Sequence, residues 1–327
     1  MPELPEVETT RRHLAEHLPG ARVAAVALPD PRALLRPDPA AFAARVVGAR
    51  ILAVERRAKY LLLPLARGAI EAVPGGIEPG VGAGCTPARG LQAAAPARAD
   101  ASPVSETAAT HRLARNGRPR PPDDYLIVHR RMTGNLFLRE PGAPPDAHTV
   151  AVLSLADGCE LRFCDLRRFA KLWLADAAEV AALDRALGPE PLTRHFTAER
   201  LAAAFEGRRG LLKPLLLNQN LVAGLGNIYV DEALFVARLH PTRTADTLTA
   251  ADFRRLHRAI RAVLAQGIRN EGTSFRDYRG AVGQPGRNQM MVEVFQRDGK
   301  PCPRCRTTIL KIRVGGRGTH YCPRCQR

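Results

Sequence analysis

Four cysteines near the C-terminus constrain this 327-residue chain more than any other feature. Cys302 and Cys305, then Cys322 and Cys325, form two Cys-x2-Cys pairs with sixteen residues between them. Each pair can present two thiolates to one ion, and the interval suits a β-hairpin that brings the pairs together. Four thiolates favour a closed tetrahedral Zn2+ site, structural because no position stays open for water. Redox exchange at either pair is the competing use of such spacing. Lys300–Arg327 carries eight Lys/Arg and no acid, so a metal-held hairpin here suits phosphate backbone.

The basic character extends to the whole chain. Lys+Arg of 49 against Asp+Glu of 32 gives a formal charge of +17, with a pI near 10.5. That balance points to a polyanionic partner, nucleic acid first and an acidic membrane surface second. No apolar run approaches the length of a membrane span. The N-terminus has acids where an export signal would place basic residues and an apolar block. Seven cysteines in such a chain argue for thiol or metal chemistry rather than disulfides.

A chain this long suggests about two to three domains. The start, "MPELPEVETT", opens a helix whose Leu4, Val7, Leu14 and Leu18 share a face, with Pro19-Gly20 as its stop. "ARVAAVAL" and "ARILAVERRAKYLLLPL" then alternate like half-buried strands. Residues 66–124 hold no Phe, Trp or Tyr and are rich in Ala, Gly, Pro and Arg. Such a stretch buries too little apolar surface to offset its ordering entropy, so it is expected to be a disordered insertion, with Cys85 incidental. Strand grammar returns at "DYLIVHRRMTGNLFLRE" and "HTVAVLSLADGCELRFCDLRRFAKLWLA", with turns at Thr-Gly-Asn and Ala-Asp-Gly. "LGPEPL" (187–192) reads as a linker. Helical patterns run from Thr197 to about Gly272, with Thr197 and Thr249 as caps. A basic, β-rich tail starts at about Val292. The domains expected are 1–186, 187–291 and 292–327.

Within the helical part, "KPLLLNQNLVAGLGNIYVDEALF" (213–235) reads as helix, glycine turn, helix. Gly224 and Gly226 permit positive φ and close backbone approach, and Asn227 is placed to cap the second helix. Free N–H groups there would suit a phosphate, with Arg209 and Lys213 just upstream. A packed helical hairpin whose glycines serve only the turn fits the same residues.

Seven strings, in this order, carry a resemblance: "PELPEVE", "RRAKYLLL" (56–63), "HRRMTG" (129–134), "DLRRF" (165–169), "LGPEPL", "GLGNIY" (224–229) and "GRGTHYC" (316–322) with the four cysteines. Together they resemble the formamidopyrimidine-DNA glycosylases, bacterial base-excision enzymes, over nearly the whole chain except 66–124. The resemblance implies an α+β multidomain fold. It comprises an N-terminal helix plus antiparallel β-sandwich, a helix–two-turn–helix domain, and a C-terminal zinc-ribbon β-hairpin. It implies one structural Zn2+, no catalytic metal or organic cofactor, and a monomer acting on double-stranded DNA with oxidised bases. A cytoplasmic, nucleoid-associated setting and no membrane partner follow.

The same resemblance assigns roles. Pro2, freed of Met1, would attack C1′ of the damaged nucleotide. A secondary amine gives a cationic iminium, an electron sink for the eliminations that follow. Glu3 would move protons at the sugar, Glu6 would organise the pocket, and Lys59 would be a second acid–base group or phosphate clamp. An ordinary strand-surface lysine is the other reading of Lys59. Met132, Arg167 and Phe169 would fill the space left by the flipped base, against plain core packing for Met132 and Phe169. His148 and Arg168 would contact phosphates, Lys213 and Asn227 would hold the DNA backbone beside the Arg209 already placed there by its position, and Arg317 would grip a phosphate near the lesion. Residues 272–289 match a flexible lid over the extruded base.

Departures from the family pattern are Leu166 for the usual Pro, Ala170 for Gly, Asn218 for Asp and Arg131 for Gly. None touches Pro2, Glu3 or the cysteines. Two alternatives remain. An endonuclease VIII-like enzyme for oxidised pyrimidines would typically read Pro-Glu-Gly-Pro-Glu, against Leu4 here. A non-catalytic zinc-ribbon DNA-binding protein would have lost Pro2 or Glu3, and both are present.

Overall fold

Helix α1 (Leu4–Ala15) begins directly after Glu3, whose backbone N–H donates to the Glu6 carboxylate at 2.8 Å in a capping box. The computed structural model describes residues 2–68 and 121–327. The helix ends at Ala15, earlier than Pro19-Gly20. Leu18 reaches the core from the following turn, and Leu4, Val7, Leu14 and Leu18 are all buried.

Two antiparallel sheets follow. One orders β1 (Val23–Ala27), β7 (Thr149–Leu155), β8 (Glu160–Asp165) and β6 (Gly134–Arg139). The other orders β2 (Arg50–Ile51), β4 (Tyr60–Ala66), β5 (Asp124–His129) and β9 (Lys171–Ala175), with β3 (Glu55–Arg57) also paired to β4. Alternate residues face inward: Leu61, Leu63 and Leu65 of β4 share one core with Leu136 of β6 and Leu161 and Phe163 of β8. This is the expected sandwich. β4 runs through Ala66 and β5 begins at Asp124, a buried carboxylate that accepts from Arg45 and Arg67. The disorder expected between these strands concerns a stretch that, from 69 to 120, lies outside the described residues, as does Cys85.

Two helices depart from the sequence expectation. α2 (Pro39–Val46) is capped by Asp38, which accepts the Ala40 and Ala41 N–H groups at 3.0 Å. Asp-Pro at its start is a readable signal. Only Phe42 and Val46 are buried in it, however, so the apolar period is faint. α3 (Ala177–Ala186) buries no residue fully and packs only Val180 and Leu183 on the sheet, a short apolar period, and a capping box of Asp176 and Glu179 starts it.

The helical part holds α4 (Ala198–Phe205), α5 (Leu212–Leu217), α6 (Asn227–Ala237) and α7 (Ala250–Arg269) around Leu201, Phe205, Leu234, Leu256 and Ile260. Thr197 and Thr249 cap α4 and α7 as expected. In the tail, strand structure is confined to the hairpin β10 (Leu310–Val314) and β11 (Arg317–Tyr321), plus one bridge between Pro301 and Thr308. Turns occupy 292–309 instead. There Glu232 of α6 accepts the N–H groups of Glu293, Val294 and Phe295 at 2.8–3.0 Å. The "LGPEPL" segment does more than link: Glu190 accepts from both Arg56 and Arg57 and from the Ala58 N–H, tying it to the β3–β4 turn.

Candidate active site

Segments distant in sequence meet at the first turn of α1. Glu3 is 1% exposed, and its carboxylate accepts the Ile228 N–H at 2.9 Å and the Tyr229 N–H at 3.3 Å. Glu3 therefore caps α6 from across the chain, an anion at the positive end of a helix. The assignment of Asn227 as cap is corrected: the N-cap position is Gly226, and Asn227 is the first helical residue. Two of the N–H groups expected to be free for phosphate are taken by Glu3. Gly226 is required by this approach, since a Cβ there would lie 2.3 Å from the Glu3 Cδ. Gly224 has φ +85°, and its carbonyl accepts the Leu4 N–H at 3.0 Å.

Glu6, also 1% exposed, accepts the Tyr229 hydroxyl at 2.8 Å and the Thr273 N–H at 2.7 Å. It joins α1, α6 and the start of the 272–289 loop. Burial pushes the Glu3 carboxyl up to about 7; Lys59 and the Ile228 N–H oppose this, and Glu6 adds to it. A carboxyl poised there can both give and take a proton near neutral pH. Pro2, buried, directly precedes it.

Lys59 lies in the turn between β3 and β4 rather than on a strand, and it is 8% exposed, which removes the surface-lysine reading. Its Nζ donates to the Leu225 carbonyl at 2.5 Å. Burial lowers its pKa, Glu3 and Glu6 pull it back up, and Arg317 lowers it further. Lys59, Glu3, Glu6 and the exposed Arg317 thus share one electrostatic site, built from the sandwich, α1 and the ribbon.

Lys213 is a second correction. It is fully buried, with Nζ 2.6 Å from Asp231 Oδ1 and 3.0 Å from the Gly318 carbonyl, so it does not face a DNA backbone. Asn227 Nδ2 donates to the same carbonyl at 3.1 Å. Both side chains hook the ribbon one residue beyond Arg317. Removing one member of a buried pair strands the other charge, so Lys213→Met should destabilise the fold by about 3 kcal/mol. The salt dependence of DNA binding should not change. A slope lower by about one counterion would return Lys213 to the phosphate contacts.

Met132, Arg167 and Phe169 come together on two neighbouring turns. Met132 is 39% and Phe169 50% exposed, which excludes core packing. Arg167 reaches Met132 Sδ at 3.5 Å, and its guanidinium lies 5.1 Å from the Phe169 ring centre. Asp165 holds both turns: it accepts the Thr133 hydroxyl, the Arg167 N–H at 3.2 Å and the Ala170 N–H at 2.7 Å. An exposed apolar pair propped from below by a buried carboxylate can enter a base stack without refolding.

His148 and Arg168 both have positive φ, near 59° and 56°, and both are exposed. Arg168 also pairs with Asp30 at 3.0 Å. Arg209 is exposed in the loop between α4 and α5. The 272–289 loop is tied to the sandwich: Leu138 N–H donates to the Ala281 carbonyl at 2.9 Å, and Asn135 Nδ2 to the Asp277 carbonyl at 2.9 Å. Sequence reasoning missed Tyr229, Thr273, Asp165 and Asp231. "NIYVDE" and "DLRRF" contained three of them, but no local spacing marks a partner so far away.

The thiols of Cys302, Cys305, Cys322 and Cys325 all lie within 4.8 Å of one another. Cys302–Cys325 and Cys305–Cys322 are 3.9 and 3.4 Å apart, close to the ~3.8 Å edge of a tetrahedron with ~2.3 Å Zn–S bonds. Four convergent thiolates fit one structural Zn2+.

Comparison with known proteins places these features together. The formamidopyrimidine-DNA glycosylase N-terminal domain model matches residues 1–79 and 98–172, and the H2TH domain model of the same enzymes matches 187–279. The zinc finger found in FPG and IleRS matches 299–327. The formamidopyrimidine-DNA glycosylase of Pelotomaculum thermopropionicum is 39% identical over 329 residues, covering 100% of this chain and 99% of that protein. That of Symbiobacterium thermophilum is 41% identical, covering 100% and 89%. Among solved structures, a Lactococcus lactis Fpg variant bound to DNA containing Fapy-dG aligns with TM-score 0.78 at 30% identity, over 100% of both chains. The Lactococcus lactis enzyme bound to abasic-site DNA aligns at 0.77 and 30%, over 99% of both. With a sandwich and a two-turn helical domain meeting at Glu3 and a four-cysteine finger hooked to that helical domain, this chain belongs to the formamidopyrimidine-DNA glycosylase family.

Proposed function

We infer that this protein is a bifunctional DNA glycosylase and AP lyase that removes oxidised purines, such as 8-oxoguanine and formamidopyrimidines, from duplex DNA, then cleaves the strand by β,δ-elimination. The observation that carries the reading is the buried Glu3–Glu6–Lys59 group beside Pro2, in a chain whose relatives are such glycosylases. The Lactococcus lactis complexes with Fapy-dG and abasic DNA support duplex DNA as its partner. No helix among the described residues is long and apolar enough to cross a membrane. Duplex DNA as substrate, with bacterial relatives, supports a cytoplasmic, nucleoid-associated setting.

The Pro2 amine attacks C1′, the bond from C1′ to the base breaks, and the base departs neutral, taking up the proton that the amine nitrogen releases. Glu3 gives its proton to the ring oxygen as the sugar opens, leaving an iminium. Loss of a C2′ proton expels the 3′ phosphate, a second elimination expels the 5′ phosphate, and hydrolysis of the imine frees Pro2. Met132, Arg167 and Phe169 fill the vacated stack, while His148, Arg168, Arg209 and Arg317 hold phosphates. The units 1–186, 187–291 and 292–327 act as one monomeric clamp with the DNA between them.

Incubating the protein with a duplex bearing 8-oxoguanine opposite cytosine should release free base and leave phosphate at both ends of the gap. DNA binding with neither product would favour the non-catalytic alternative. The pH profile tests Glu3. Above about pH 7 Glu3 loses its proton, and below about pH 8 an α-amine gains one. Base release should peak in that narrow window. Glu3→Gln should slow it about 100-fold and flatten the alkaline limb. An unchanged rate and profile would remove Glu3 from proton transfer.

A further inference from the structure

Arg130 is 1% exposed, yet among the described residues no carboxylate lies within hydrogen-bond reach of it. All its acceptors are neutral: Nε donates to the Gly134 carbonyl at 2.7 Å, one terminal nitrogen to Thr10 Oγ1 at 2.6 Å and the Glu6 carbonyl at 3.4 Å. The other donates to Asn135 Oδ1 at 2.7 Å and the Arg279 carbonyl at 3.4 Å. A buried guanidinium that no carboxylate hydrogen-bonds, and that only the nearby Glu6 charge offsets, is costly, and an apolar side chain often packs such a site at least as stably. Its fork must therefore serve something besides packing.

The acceptors belong to three elements. Glu6 and Thr10 are on α1. Gly134 closes the turn that carries Met132, and its N–H returns to the Arg130 carbonyl at 3.0 Å. Arg279 is in the 272–289 loop, as is Tyr278, whose ring centre lies 5.2 Å from the Arg130 guanidinium. Asn135 doubles the link, because its Oδ1 also accepts the Arg279 N–H at 3.1 Å.

We propose that Arg130 is a positioning residue that couples the 272–289 loop to Met132, so that closure over a flipped base and filling of the stack occur as one step. The proposal rests on the wedge reading of Met132 and the lid reading of the loop. A damaged nucleotide needs both events. An abasic site has no base for the loop to cover, so its cleavage depends on the coupling far less.

The test is single-turnover base release from 8-oxoguanine:cytosine DNA beside strand cleavage at a preformed abasic site. Arg130→Met should lose about 30-fold or more in base release, since small misplacements carry such penalties, and less than about 3-fold in abasic cleavage. Arg130→Lys, charged but unforked, should fall between. A 2-aminopurine flanking the lesion should report slowed Met132 entry in step with the lost excision. Parallel loss of both activities, tracking a lower Tm, would overturn the coupling, as would no loss in either. If Arg130→Met does not fold, Asn135→Ser keeps the guanidinium but cuts the bonds to Asp277 and Arg279 of the loop, along with those to Arg130 and to the Thr133 carbonyl, and the same split or its absence decides. Normal excision by Met132→Ala would sink the wedge reading instead, and a wild-type protein without base release would sink the functional one.

Discussion

Protein that retains Met1, or carries one extra residue before Pro2, should give no covalent adduct when borohydride is added during its reaction with an 8-oxoguanine duplex. Protein with a free Pro2 should trap readily. The reason is electronic. Acylated by Met1, the Pro2 nitrogen is a planar amide whose lone pair is delocalised, and it cannot attack C1′. Unacylated, it is a secondary amine with a useful neutral fraction near pH 8. The expected loss is at least about 1,000-fold, the scale seen when a nucleophile is removed. Lys59 is the internal rival, because its buried amine has a lowered pKa and sits in the same charge cluster as Glu3. Lys59→Ala should slow trapping without abolishing it. Adduct formation that survives N-terminal blocking and vanishes in Lys59→Ala would move the nucleophile to Lys59.

The second large effect concerns the metal. Stripping Zn2+ with a chelator, or Cys305→Ser, should melt the ribbon and weaken DNA binding about 100-fold or more, while the sandwich stays folded. The ribbon's own core is small: Phe235, Val294 and Ile309 with Cys302 and Cys322. Metal binding in such fingers is worth about 10–16 kcal/mol, most of which is folding free energy. Melting withdraws Arg317 and the other basic residues of Lys300–Arg327 from the DNA. Zinc release measured with a colorimetric chelator should give one ion per chain and parallel the loss of fluorescence anisotropy on a labelled duplex. Tight binding by zinc-free protein would show that the finger is not needed to hold DNA.

Much of the architecture was legible because it is written at short range. The apolar runs in "YLLLPLA" and "DYLIVH" became β4 and β5, and the capping positions Thr197 and Thr249 start the helices they were read to start. α2 and α3 escaped because each carries only one short apolar pair, Phe42 with Val46 and Val180 with Leu183. The site was legible in part. Its motif residues could be named, but how each is used could not. Lys213 was read as a grip on a phosphate, and the structure buries it against Asp231 and the Gly318 carbonyl, to which the half-buried Asn227 also donates. "HRRM" showed two basic residues in a row, and nothing local distinguishes the buried Arg130 from the exposed Arg131.

The sequence by itself determined the family, the strand-rich and helical halves, the caps Thr197 and Thr249 and the four zinc ligands. Each depends on spacings of a few residues or on an ordered series of short motifs. Only the tertiary structure decided which polar groups are spent inside the protein: Glu3 on the α6 N-terminus, Glu190 on Arg56 and Arg57, Lys213 on Asp231, Arg130 on five neutral acceptors. Those pairings span up to more than two hundred residues. They are fixed by desolvation, since a charge removed from water must find partners wherever the packed chain brings them, and that demand leaves no mark in the local spacing.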